Sequence, residues 1–130
     1  MKRGILITHG PIGAAIIEAV RCIIGTDEGL YALSVNEYSA LGLAQKLENL
    51  IVDSDDGDGV ILMASLKGGS CWNVSAMSSR NRRNVRTLSG VNLPMVLSFM
   101  TKREKLSLDD LATKLAEDGK RGIDFLNLPD

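Results

Sequence analysis

Short unbroken apolar runs alternate along this chain with longer stretches of helical spacing. Residues 5–7 (Ile5, Leu6, Ile7) form a continuous apolar run behind Gly4, the pattern of a strand buried on both faces of a parallel sheet. Residues 14–24 carry Ile16, Ile17, Val20, Ile23 and Ile24 at helical spacing, with Cys22 in the same stripe and Gly25 just past the helix end. Residues 30–35 predict a second strand. Residues 39–52 predict a second amphipathic helix, with Leu41, Leu43, Ala44, Leu47, Leu50 and Ile51 facing inward. An acidic turn at 53–59 lacks the spacing and closing glutamate of a calcium loop, so it reads as solvated. Residues 60–64 predict a third strand, 72–80 a helix and 85–89 a fourth strand. After a turn at 90–94 another helix begins at Met95. Ser107 is a candidate N-cap, with Asp109 and Asp110 in the first turn of a last helix reaching about Asp118. Residues 119–130 show no clear period.

Strands and helices joined by short glycine-rich turns predict an α/β fold: a doubly wound, mainly parallel sheet with helices on both faces. A chain of 130 residues is expected to be one domain, 1–130. With 45% apolar but only 4% aromatic residues, its core must be aliphatic, and it lacks a stacking platform for single-stranded nucleic acid. Fifteen basic residues against sixteen acidic give a net charge of -1, which supplies no field to attract a polyanion. The basic run Arg80, Arg82, Arg83 and Arg86, interleaved with Asn81 and Asn84, therefore reads as a solvated helix end or a docking edge for an acidic partner, not a nucleic-acid site. No apolar stretch approaches the roughly 20 residues that span a bilayer, and Met1-Lys2-Arg3 runs straight into a strand, so neither leader nor membrane insertion is expected. Cys22 and Cys71 lack metal-ligand spacing and suit free thiols in a reducing cytoplasm.

His9 is the only histidine. It follows the first strand and precedes Gly10-Pro11-Ile12-Gly13, at the carboxyl end of a strand, where open α/β sheets bind ligands and the next helix offers unpaired N–H groups to an anion. Position alone leaves both a hydrogen-bonded loop histidine and an active imidazole open. Gly68-Gly69-Ser70, ahead of a helix, offers backbone N–H groups and a hydroxyl, and it also suits a structural turn with a serine cap. It is neither a Walker loop nor a dinucleotide fingerprint. The strands before these two loops can lie side by side, which would bring both glycine-rich turns to one crevice.

Three motifs in order carry a resemblance: Thr8-His9-Gly10, then Gly68-Gly69-Ser70 with Asn73, then Gly90-Val91-Asn92-Leu93-Pro94-Met95. Together they resemble the IIA component of the mannose/fructose/sorbose-family sugar phosphotransferase system (PTS), over nearly the whole chain. The resemblance implies a flavodoxin-like fold and a cytoplasmic homodimer with an exchanged C-terminal strand. It also implies a phosphohistidine carrier in which His9 accepts a phosphoryl group from the phosphocarrier protein HPr and passes it to a separate IIB component. A neutral imidazole is a competent nucleophile, and the N–H groups of Gly10 to Gly13, Gly69 and Ser70 are the expected donors to the phosphoryl oxygens, with no metal or cofactor required.

The chain departs from the family pattern at three places. Ser65 stands where the family commonly has an aspartate that orients the histidine; a hydroxyl can accept the imidazole N–H but brings no charge. Lys67 replaces a common aromatic residue and could neutralise a phosphate. Cys71-Trp72 replaces the usual proline and its neighbour. Two other readings follow: a regulatory or interaction module without phosphotransfer on the same fold, and a Cys-His hydrolase built on Cys71 at a helix N-terminus.

Overall fold

A computed structural model describes residues 1–80 and 82–129; Asn81 and Asp130, within two of the segments read above, lie outside the described residues. Four strands, β1 (Arg3–Thr8), β2 (Leu30–Ser34), β3 (Val60–Ala64) and β4 (Val85–Ser89), form one parallel sheet in the order β2-β1-β3-β4. The helices are α1 (Ile12–Ile24), α2 (Ala40–Ser54), α3 (Ser70–Arg80), α4 (Leu93–Lys102) and α5 (Leu108–Arg121), with a 3-10 turn at Val35–Glu37.

The two-residue period of β1 divides the core. Ile5 and Ile7 join Leu62, Ala64, Leu47, Ile51 and Cys71 beneath α2 and α3, whereas Leu6 joins Ile61, Met63, Phe99, Leu111 and Leu115 beneath α1, α4 and α5. The middle of β1, Ile5 to Ile7, and the whole of β3 are therefore apolar and buried, as expected of strands covered on both faces. The chain steps from β1 outward to β2 through α1, then reverses over β1 to β3 through α2, and the helices change face with that reversal as crossovers of one hand require. The reversal places a topological switch point between β1 and β3.

Several boundaries differ from the sequence reading. Ile23 and Ile24 are 57% and 38% exposed and Cys22 is also exposed, so only Gly13, Val20 and in part Ile16 and Ile17 of α1 face inward. Leu41, 79% exposed, stands outside the buried stripe of α2. Helix α4 begins at Leu93 and takes Pro94 into its first turn, where a missing N–H costs nothing; Asn92 caps it by accepting the Met95 N–H at 3.0 Å. Ser107 caps α5 as expected, but that helix continues to Arg121.

Asp118 explains why α5 runs on. Its carboxylate accepts Ser98 Oγ at 2.5 Å and Lys102 Nζ from α4, with Lys114 and Arg121 at 3.6 and 3.4 Å. The hydrogen bonds from Lys102 and Ser98 hold its pKa down at about 2. A depressed carboxylate contributes stability that is full above its ordinary value of 3.8 and is lost as the pH falls from there through about 2. Asp118→Asn is expected to lower the urea midpoint at neutral pH and to flatten its fall across that acid window. An unchanged acid slope would assign the pH dependence elsewhere.

Candidate functional site

The site lies at the carboxyl ends of β1 and β3. Their register sets Ile7 opposite Ala64, and the Ser65 N–H donates to the Ile7 carbonyl at 3.0 Å, so the loops leaving both strands start side by side. His9 is half-buried there. Its Nδ1 lies 3.3 Å from Ser65 Oγ and 3.5 Å from Cys71 Sγ, and Ser65 Oγ is itself 3.5 Å from that sulfur. A Cβ built on Gly69 would lie 3.7 Å from His9 Cε1, so the glycine turn runs along the edge of the ring. The two loops expected to meet therefore do.

Turn geometry fixes how the imidazole is presented. Gly10 takes φ +62°, a conformation that side chains other than glycine seldom adopt, and its N–H donates to Asn36 Oδ1 at 2.6 Å. The expected role of that N–H as a phosphate donor is thereby corrected: it is already spent on the turn. The Gly13 N–H is likewise taken, by buried Thr8 Oγ1 at 3.0 Å. A Cβ on Gly13 would approach that oxygen to 3.1 Å, so glycine lets α1 start this close to β1. Among the described residues, the N–H groups of Ile12, Ala14, Gly69 and Ser70 have no protein acceptor.

Ser70 opens α3 as its first residue and is exposed; among the described residues its hydroxyl makes no hydrogen bond, so it does not act as a side-chain cap. Lys67 is exposed and lines a groove on the β4 side with Trp72, Ser89 and Asn92, and it makes no ion pair among the described residues. The basic run is engaged in part: Arg82 pairs with Glu48, and Arg86 with Asp109 at 2.5 Å. Cys71 lies inside the first turn of α3 and is fully buried, where a thiol has no path to a substrate. This geometry gives the hydrolase reading no support.

Sequence reasoning missed the acceptor roles of Thr8 and Asn36 and the contact of Cys71 with His9. Thr8 carried a signal, a hydroxyl residue just before a helix-opening glycine turn. Asn36 carried none, since it reaches Gly10 from the turn after β2. Among the described residues no group of three His, Cys, Asp or Glu side chains could hold a metal ion, and no helix is long and apolar enough to cross a membrane.

Known proteins resemble this chain over most of its length. A family model described as "PTS system fructose IIA component" matches residues 4–116. The chain is 30% identical over 115 residues to the PTS system sorbose-specific EIIA component of Klebsiella pneumoniae, covering 88% of this chain and 84% of that one. Against the PTS system mannose-specific EIIAB component of Escherichia coli K12 the identity is 24% over 121 residues, covering 92% of this chain but only 38% of that longer protein. A crystal structure of the phosphotransferase system component EIIA from Streptococcus agalactiae superposes with a TM-score of 0.87 at 24% identity, over 96% of this chain and 97% of that one. That neighbour supports the flavodoxin-like fold.

The Thr8 bond to Gly13 is the part of this geometry that stability measurements reach directly. Thr8→Val leaves a buried N–H without its acceptor, and the expected loss is about 1 to 3 kcal/mol of unfolding free energy in urea. No loss would mean that α1 is anchored by other contacts.

Proposed function

Because this chain belongs to the fructose/mannose-type IIA family of the sugar phosphotransferase system, we propose that it is a phosphoryl carrier using His9. In this reading, His9 accepts a phosphoryl group from phosphorylated HPr and transfers it to a IIB component. The observation that carries the reading is the orientation of the ring: Nδ1 faces Ser65 and Cys71, which leaves Nε2 as the nitrogen available to a donor.

With the proton on Nδ1 and donated to Ser65 Oγ, the Nε2 lone pair attacks phosphorus. The Nε2–P bond forms as the N–P bond to a phosphohistidine donor, protonated on its other ring nitrogen, breaks, and the donor imidazole leaves neutral with that electron pair. His9 keeps its Nδ1 proton, so the positive charge passes to its ring. The charge that spreads over the phosphoryl oxygens in such a transfer needs fixed donors. The free N–H groups of Ile12, Ala14, Gly69 and Ser70, with the Ser70 hydroxyl, serve that role, and Lys67 at the rim supplies positive charge to the approaching partner.

A homodimer belongs to the same proposal. In the stretch 122–129, Ile123, Phe125, Leu126 and Leu128 are 68 to 84% exposed. Beside it, β4 pairs only with β3 among the described residues, leaving one edge open. An apolar segment and a free edge strand are both unfavourable in an isolated subunit. Pairing of the tail of one subunit with the β4 edge of another covers both, and sedimentation should show a dimer at micromolar concentration. A monomer there would reject this part.

Incubation with phosphorylated HPr followed by intact-mass measurement tests the carrier reading. The wild type is expected to gain one acid-labile phosphoryl group and His9→Ala none. Retained labelling in His9→Ala would place the acceptor elsewhere. Ser65→Asp, which restores a charge-assisted bond to Nδ1, should raise the transfer rate about tenfold, the factor that 1.4 kcal/mol of transition-state stabilisation is worth. An unchanged rate would remove Ser65 from the role of orienting group.

A further inference from the structure

The proposal that His9 carries the phosphoryl group requires an unprotonated Nε2, and a serine does not by itself secure that. A hydroxyl can accept from the Nδ1–H or, with its hydrogen turned the other way, donate to a bare Nδ1. The second arrangement moves the ring proton to Nε2 and removes the nucleophile. A carboxylate at this position accepts only, so it fixes the tautomer outright; Ser65 needs another group to fix the direction of its hydrogen.

We propose that Cys71 is that positioning residue: its sulfur accepts the Ser65 hydroxyl hydrogen, so that Ser65 must accept from Nδ1–H and Nε2 keeps its lone pair. Apart from His9 Nδ1 itself, at 3.3 Å, Cys71 Sγ is the one acceptor within reach of Ser65 Oγ among the described residues, at 3.5 Å, an ordinary separation for the larger sulfur atom. Burial holds it there. Cys71 has no exposed surface and packs in the core cluster with Ile7, Ala64 and Val74, and its place in the first turn of α3 aims the side chain back under the β1 and β3 ends. The same sulfur lies 3.5 Å from Nδ1, which defines the competing order of protons: a thiol donating to Nδ1 would leave the proton on Nε2. The order Nδ1–H to Ser65 to Cys71 uses both contacts of Ser65 and leaves the open side of the ring free. No net charge is involved, so the pair selects a tautomer without stabilising a cationic ring as an aspartate would.

Long-range proton–nitrogen correlation spectra of untagged, nitrogen-15-labelled protein read the tautomer directly, because the chain has a single histidine. With the ring neutral, the wild type is expected to show a protonated Nδ1 and an unprotonated Nε2. Cys71→Ala should shift the ring toward Nε2–H and slow phosphoryl transfer about threefold, the scale of a weak hydrogen bond. Cys71→Ser, whose hydroxyl still accepts, should retain the wild-type signature. A wild-type proton on Nε2, or an unchanged tautomer in Cys71→Ala, would overturn the assignment. The spectra need no phosphoryl donor, so this inference and the carrier reading fail separately.

Discussion

The parallel register of β1 on β3 is the constraint on which the site depends. It sets Ile7 opposite Ala64, and the residues that follow, His9 and Ser65, come within hydrogen-bonding reach as a consequence. Two cores enforce that register. A slip of one residue would turn Ile5 and Ile7 into the cluster that holds Leu6, and Leu6 into theirs, exchanging every side chain between two differently shaped interiors. A slip of two would preserve the faces but carry Ser65 about 6.6 Å along the strand direction from His9. The position of the imidazole partner thus inherits the rigidity of the most buried part of the sheet, the support a reactive group needs.

Around that fixed pair, backbone donors divide into those that build the site and those left for a ligand. Thr8 and Asn36 take the N–H groups of Gly13 and Gly10, and those two bonds set the turn and the start of α1. What remains comes from the first turn of α1 and from the glycine turn before α3. A helix N-terminal field together with free backbone N–H groups suits a group with negative charge spread over several oxygens. The partner of Nδ1 is uncharged: a hydroxyl backed by a thiol. Ring orientation is retained there while charge stabilisation is given up, and this is the physical sense in which the chain differs from a site with a carboxylate at Ser65.

The sheet was legible because unbroken apolar runs such as Ile5 to Ile7 and Val60 to Ala64 are specific to strands covered on both faces. The doubly wound order allowed the His9 and Gly69 loops to meet, and the pairing of β1 with β3 brings them together. Helix faces were less legible: periodicity placed Ile23, Ile24 and Leu41 inward, yet all three are exposed at the ends of α1 and α2. Helix α4 was placed too late because Pro94 reads as a turn until Asn92 is known to cap it. At the site, His9 and Gly69 were singled out from order and spacing and Ser65 from the family resemblance, but Gly10 was assigned a donor role whose N–H a distant asparagine consumes. The alternative reading of Cys71 as a nucleophile came from its neighbours in sequence, a glycine turn and a helix start. Only the fold shows that it is buried and that its sulfur meets Ser65.

The central claim is that His9 presents Nε2, and not Nδ1, to a phosphoryl donor. Phosphorus and nitrogen-15 spectra of the labelled protein after reaction with phosphorylated HPr locate the new bond within the ring. Coupling of phosphorus to Nε2 of His9 is the predicted result; phosphorus on Nδ1, or no phosphoryl group on His9 at all, would contradict it.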